Sequence, residues 1–219
     1  MSNPPLEPAR AQPPCSGSPL LVVISAPSGT GKTTLCVQTL AARPKLSRAI
    51  TCTTRPPRPG EQDGVDYYFF DEATFLKRVQ DGNFLEHARV FGHRYGTLKS
   101  EVLGKLRAGQ DLLLNVDVQG AAAIGAHAGQ DLELKRALIS VFLTPPSMAI
   151  LEARLKKRGQ DPPAVIAQRL SMARQEIAHW RHFDYLIVSS SIAEDLRRMQ
   201  AIIDAEKMRQ PRAQMPSYD

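Results

Sequence analysis

Gly31-Lys32-Thr33 closes a run of small residues, Ala26-Pro27-Ser28-Gly29-Thr30-Gly31, that follows the apolar stretch Leu20 to Ser25. Residues of these types in this order make an anion cradle. Glycines let the chain turn tightly enough for several backbone N–H groups to converge on phosphate oxygens, and the positive end of a following helix favours the same anion. The segment Ala26 to Thr34 (Ala26, Pro27, Ser28, Gly29, Thr30, Gly31, Lys32, Thr33, Thr34) is therefore expected to wrap the phosphates of ATP. Lys32 would reach the β- and γ-phosphates and the Thr33 hydroxyl would hold Mg²⁺. The usual pattern opens on glycine; here that place is Ala26.

A second group of residues fits the same chemistry from the other side. Arg55 and Arg58 stand three apart on a segment stiffened by Pro56, Pro57 and Pro59, with Tyr67 downstream. Two guanidinium forks so placed can bind one phosphate through strong, directional hydrogen bonds. Asp117 ends the run Leu112 to Val116, which puts a carboxylate at the carboxyl edge of a core strand, a natural place for a ligand or a metal-bound water. His87, His93, His127, His179 and His182 have no metal-ligand spacing.

These residues need a scaffold. A chain of 219 residues suffices for one large domain with inserted lobes. Short apolar runs alternate with amphipathic stretches, which predicts an α/β fold, a parallel sheet covered by helices on both faces. The strands are expected at Leu20 to Ser25, Asp111 to Val116, Leu138 to Leu143 and Tyr185 to Val188. Helices are expected at Lys32 to Ala42, Leu98 to Ala108, Ser147 to Lys157, Ala164 to Ala178 and Ala193 to Ala205. Between Thr51 and Phe91 the pattern changes. Turn residues at Pro56 to Gly60 and Asp63-Gly64 precede strand-like Tyr67 to Phe70. A short helix from Glu72 to Gln80, capped by Asp71, then leads to a strand at Phe84 to Phe91. This reads as a small β-rich lobe, 51–97, inserted into a core of 20–50 and 98–205. Residues 1–19, with Pro4, Pro5, Pro8, Pro13, Pro14 and Pro19, read as a disordered tail, and 206–219 as a second tail.

Composition narrows the class. The net charge of +6 and pI near 9.4 come from dispersed Lys and Arg, with no aromatic-interleaved basic strand, so no nucleic-acid partner is expected. The odd cysteine count (Cys15, Cys36, Cys52) and lack of CxxC spacing point away from disulfides and zinc, hence to a cytoplasmic protein. Nothing reads as a signal peptide or membrane span. Oligomeric state is not legible.

The segment Thr53-Thr54-Arg55 to Phe69 fills every position of TTRxxRxGExxGxxYxF, and with Phe84-Leu85-Glu86 to Thr97 it resembles guanylate kinases, the family that passes the γ-phosphate of ATP to GMP. The resemblance spans Leu20 to about Ile203. It implies a P-loop kinase core with an acceptor lobe and a helical lid, about 154–178. It also implies that Arg55, Arg58, Tyr67 and Tyr95 hold the GMP phosphate, that Glu86 reads the base, and that Thr51 and Thr97 donate to guanine O6. Chemistry supports Glu86: guanine offers N1–H and N2–H side by side to a carboxylate, whereas adenine presents an acceptor at N1 and would strand a charge. Such a mismatch can discriminate by ~10⁴ or more. Asp117 would serve the GMP base edge or the metal-bound waters, and Arg158 and Arg169 would be lid arginines closing over the phosphates. Arg154 and Lys157 suit either that lid or a solvated helix face. The acceptors would be GMP and also dGMP, the cofactors ATP and Mg²⁺. Three departures stand out: Asn115 where relatives carry an acid, Pro162-Pro163 at the lid, and Ser189-Ser190-Ser191 in place of Asn-Asp-Asp. A sugar-phosphate kinase on the same scaffold would have no need of Glu86, and a non-catalytic binding module would not keep Lys32 and Thr33.

Overall fold

The structure, a computed structural model, describes residues 17–90, 92–159 and 162–213, with the backbone alone at Arg158. The elements begin with β1 (Leu21–Ser25), α1 (Lys32–Ala42), β2 (Leu46–Arg48), β3 (Thr51–Thr53), β4 (Tyr67–Phe69), α2 (Glu72–Gln80), β5 (Phe84–Val90), β6 (His93–Leu98) and α3 (Lys99–Arg107). They continue with β7 (Asp111–Asn115), α4 (Val118–Ala128), α5 (Leu132–Ala137), β8 (Leu138–Thr144), α6 (Met148–Arg158), α7 (Pro163–Ala178), β9 (Tyr185–Val188) and α8 (Ile192–Met208).

β1 is buried along its whole length because it is the central strand of a five-stranded, all-parallel sheet ordered β2-β7-β1-β8-β9. Its side chains alternate between two cores. Leu20, Val22 and Ile24 pack with Leu35, Met199 and Ile203 of α1 and α8, while Leu21 and Val23 pack with Val102, Ile124 and Leu134 of α3, α4 and α5. A strand covered on both faces needs this continuous apolar run rather than an apolar–polar alternation. The register pairs Ile24 with Asn115, and the Val116 N–H donates to the Ile24 carbonyl at 3.2 Å. The loop after β1 and the residues after β7 are thereby set side by side at the carboxyl edge.

The second sheet, ordered β4-β3-β6-β5, is mixed: β3 and β4 are parallel, the other pairs antiparallel. It has its own small core of Cys52, Phe75, Phe84 and Leu98, with Phe75 and Phe84 stacked at 4.5 Å between ring centroids. Asp71 caps α2 by accepting from the Thr74 N–H at 2.6 Å, as the sequence suggests. Phe91, the expected end of β5, lies outside the described residues.

Among the described residues several elements go beyond the sequence expectations. β2 and β3 are three residues long, too short to show a period, and β6 is recognisable only by its pairing with β5. α4, Val-Gln-Gly-Ala-Ala-Ala-Ile-Gly-Ala-His-Ala, has too few large apolar residues to show an amphipathic stripe, and α5 is a six-residue helix. The expected C-terminal boundary at 205 is corrected: α8 continues to Met208, and 209–213 folds back. There Glu206, 1% exposed, accepts from Tyr185, Arg209 and Arg212, and Arg212 also donates to the carbonyls of Arg136 and Leu138. The expected N-terminal tail is likewise corrected at its end, where the Ser18 N–H donates to the Arg212 carbonyl at 2.9 Å. Residues 1–16 and 214–219 lie outside the described part. Among the described residues no helix is long and apolar enough to cross a membrane.

Candidate active site

The phosphate loop takes its shape from glycine conformations. Gly29 and Gly31 have φ of 93° and 106°, in the left-handed region open to glycine at little cost, and Gly31 is the N-cap of α1. At Gly29 a side chain is also excluded by contact, since a Cβ would stand 2.7 Å from Leu155 Cδ2 of α6. Ala26, the departure from the usual first glycine, is 4% exposed and its methyl joins the core. Ala26, Pro27, Ser28, Gly29, Gly31, Lys32, Thr33 and Thr34 line a hollow of about 340 Å³ together with Asp117 and Glu176. Lys32 donates to the Val116 carbonyl at 2.5 Å, which aims it across the sheet edge. Burial pulls its ammonium below the ordinary lysine value, opposed by the negative charges of Asp117 and Glu176.

Lys32 and Thr33 also line a larger cleft, about 440 Å³, whose other wall is the second sheet. Thr51, Tyr67, Glu86, Tyr95 and Thr97 face it, with Arg48, Asn115 and Asp117. Thr97 Oγ1 donates to Glu86 Oε1 at 2.6 Å, so its one proton is given to the carboxylate, and donation to an acceptor O6 would mean releasing that bond. Burial pushes the Glu86 carboxyl above its ordinary value, the Thr97 bond opposes this, and the charge of Asp117 adds to it. Asp117 itself caps α4 through the Gly120 N–H at 2.7 Å and lies at the border of both hollows.

The two sequence-derived arginines part company. Arg55 lies 5.5 Å over the Tyr67 ring and is held by both oxygens of Glu61, at 2.8 and 2.9 Å. Glu61 also accepts from the Arg58 N–H. Arg58 is exposed, and neither arginine is among the residues lining the cleft. Glu61, within the quoted motif, was not recognised in the sequence as the residue that orients Arg55, because a turn segment has no periodicity to show which side chains meet. Arg48, which also lies 5.5 Å from the centre of the Tyr67 ring and lines the cleft, carries no sequence signal at all.

Gly29, Thr30, Gly31 and Thr34 open on their other side to a third hollow, about 440 Å³, with Arg154, Lys157, Ser189, Ser190, Ile192 and Asp195. Arg154 donates to the Thr30 carbonyl at 3.2 Å and to Ser189 Oγ at 3.1 Å, which excludes a purely solvated role for it. Asp195, 4% exposed, accepts from Ser189 Oγ and the Ser190 N–H. Arg169 on α7 donates to Ser28 Oγ at 3.5 Å at the loop's edge. Glu176, two turns later, borders the phosphate hollow; the spacing of seven from Arg169 is a signal that could have found it. The side chain of Arg158 lies outside the described part.

The donors present bear on Mg²⁺. The Thr33 hydroxyl, Asp117 and Asn115 supply oxygen atoms at the junction of loop and cleft. Among the described residues no group of three or more His, Cys, Asp or Glu forms a cage. A sparse oxygen set suits a hard ion that keeps several waters and takes its other ligands from substrate phosphates. The site fits the ion.

A Gly-rich loop after the central strand of a parallel sheet, facing a separate acceptor wall across one cleft, defines a P-loop kinase. The guanylate kinase family model matches residues 18–206. Curated guanylate kinases from Maricaulis maris (42% identical; 88% of this chain, 86% of that one) and Coxiella burnetii (46%; 86% and 88%) are similar over most of their length. The crystal structure of guanylate kinase from Anaplasma phagocytophilum superposes with a TM-score of 0.67 at 31% identity, over 90% of each chain. The chain belongs to the guanylate kinase family, whose function is phosphorylation of GMP by ATP.

Proposed function

We propose that this chain transfers the γ-phosphoryl group of Mg²⁺-ATP to GMP in the 440 Å³ cleft, giving ADP and GDP, and that it does so in the cytoplasm as part of purine nucleotide recycling. The observation that carries this is that Lys32 and Thr33 share one cleft with Glu86, Tyr67, Tyr95 and Thr97. Donor phosphates would lie on the loop Ala26 to Thr34, the acceptor base against Glu86 and Thr51, and the acceptor phosphate near Tyr67, Tyr95 and Arg55, with Arg58 reaching in from the rim. Residues 51–97 would then be the acceptor lobe and 154–178 the lid.

In-line phosphoryl transfer needs little covalent help; the protein positions the two nucleotides and offsets charge spreading over the moving group. Lys32 and the loop amides do this from the donor side, and Arg55, Arg158 and Arg169 from the acceptor and lid sides. Thr33, and Asp117 through ordered waters, would hold Mg²⁺, which when bound would supply further neutralisation of phosphate charge. Asn115 contributes a neutral amide where an acid would contribute charge. Glu86 accepts the N1–H and N2–H of guanine and rejects adenine. Use of dGMP would follow if no side chain reads the ribose 2′-OH.

A coupled assay tests this with Mg²⁺-ATP against GMP, dGMP, AMP, UMP and ribose phosphates at equal concentration. The expected outcome is ADP formation dependent on a guanine nucleotide. Transfer to AMP or a sugar phosphate at the same rate overturns the assignment of Glu86, and no transfer to any acceptor overturns the catalytic reading.

A further inference from the structure

Gly120 sits in the first turn of α4, buried, with a helical backbone rather than a positive φ. Nothing in its own conformation asks for glycine, which forms helices less readily than alanine. Its surroundings do. A Cβ at 120 would stand 3.1 Å from Val116 Cβ, 3.3 Å from Asp117 Oδ1 and 3.4 Å from Glu86 Oε2. Gly125, in the same helix, would meet nothing within 4 Å. Glu86 Oε1 is bonded to Thr97, so the carboxylate is seated between a hydroxyl on one side and bare helix backbone on the other.

We propose that Gly120 is a specificity-determining positioning residue of the acceptor pocket: its missing side chain lets the first turn of α4 back the Glu86 carboxylate and hold both oxygens ready for two adjacent N–H donors. This rests on the reading of Glu86 as the base reader. A methyl group at 120 would lie in ordinary contact with Glu86 Oε2 but would crowd Val116 and Asp117 Oδ1, so the Val116–Asp117 step, which also steadies Lys32 through the Val116 carbonyl, must give, and the displaced Asp117 charge turns the Glu86 carboxylate indirectly. A base offering N1–H and N2–H loses most from a turned carboxylate. Hypoxanthine, with N1–H alone, loses less.

The experiment compares kcat/KM for GMP and IMP at saturating ATP in the unmodified chain, Gly120→Ala, Gly125→Ala, Glu86→Ala and the Gly120→Ala/Glu86→Ala pair. The GMP-to-IMP ratio is expected to fall about tenfold in Gly120→Ala, the loss of one buried hydrogen bond. It should stay unchanged in Gly125→Ala, and Gly120→Ala should add nothing once Glu86 is absent. Should Gly120→Ala not fold, Glu86→Asp draws the carboxylate one methylene away from the same seat with the backbone intact, and the same fall is expected. An unchanged ratio in either folded variant, or an equal fall in Gly125→Ala, overturns the proposal. An unmodified chain that uses neither GMP nor IMP would instead overturn the reading of the site itself.

Discussion

Glu86 holds its carboxylate 9% exposed, bonded to Thr97 and near a second acid, Asp117. With burial raising its pKa above the ordinary 4.5, the folded chain binds this proton more tightly than the unfolded chain does. Its contribution to stability is therefore present below pH ~4.5 and is lost as pH rises through the folded value. Under the proposed reading function runs the opposite way, because only an ionised carboxylate could accept two guanine donors. The acid limb of kcat/KM for GMP is expected above pH 4.5, and Glu86→Gln should remove that limb while lowering the GMP-over-AMP preference by on the order of 10² or more, read from pH–rate profiles with both acceptors. Lys32→Ala should lower kcat by on the order of 10³ or more with the fold intact by circular dichroism. Lysine in this motif was evident in the sequence because its neighbours are fixed by chain connectivity; the Glu86–Thr97 bond was not, because it joins two strands.

The donor side is held by α6, which presses Leu155 on Gly29 and sends Arg154 to the Thr30 carbonyl. Arg154 in turn meets Ser189, which Asp195 of α8 fixes. The serine run that departs from the family pattern thus has defined work here: Ser189 and Ser190 bind Asp195, and Ser191 caps α8 through the Glu194 N–H at 3.2 Å. Asp195→Ala should cost about 1–3 kcal/mol, the desolvation of partners left unpaired, and raise the KM for ATP several-fold with little change in the KM for GMP. Melting temperature and separate KM values check it; equal rises in both KM values would show a global rather than a donor-side effect. Against α6 packs α7, with Leu151, Leu155, Ile166 and Ala173 in one cluster and Leu170 packed against it, at helical spacing along α7. Helical spacing made that face visible, whereas Arg154's partners sit 35 and 124 residues away.

The two ends of the described part meet. Lys207 donates to Ser18 and Asp111, Asp111 accepts from the Leu20 N–H, and Glu206 gathers Tyr185, Arg209 and Arg212. Glu206→Ala would leave Arg212 charged and buried without its acid, a loss of about 3–5 kcal/mol and roughly 10 °C in Tm by calorimetry, with kcat unchanged. The second sheet faces the Gly-rich loop across one cleft, and under the proposed reading water must be excluded for transfer to outrun hydrolysis. GMP and ATP analogue together are expected to reduce the radius of gyration by X-ray scattering, and either one alone to do so less; no reduction with both would refute closure. What the sequence determined by itself was local: the Gly-rich loop between β1 and α1, the apolar core strands and the capped helix α2, since each is a property of consecutive residues. Tertiary structure decided the rest. It made β2, β3 and β6 strands by giving them partners, let the small-residue helix α4 approach Glu86, turned 206–213 from a tail into a clasp, and put Lys32 and Glu86 in one cleft. Those outcomes depend on pairing and burial between residues far apart in the chain, and neither is written in the order of neighbours.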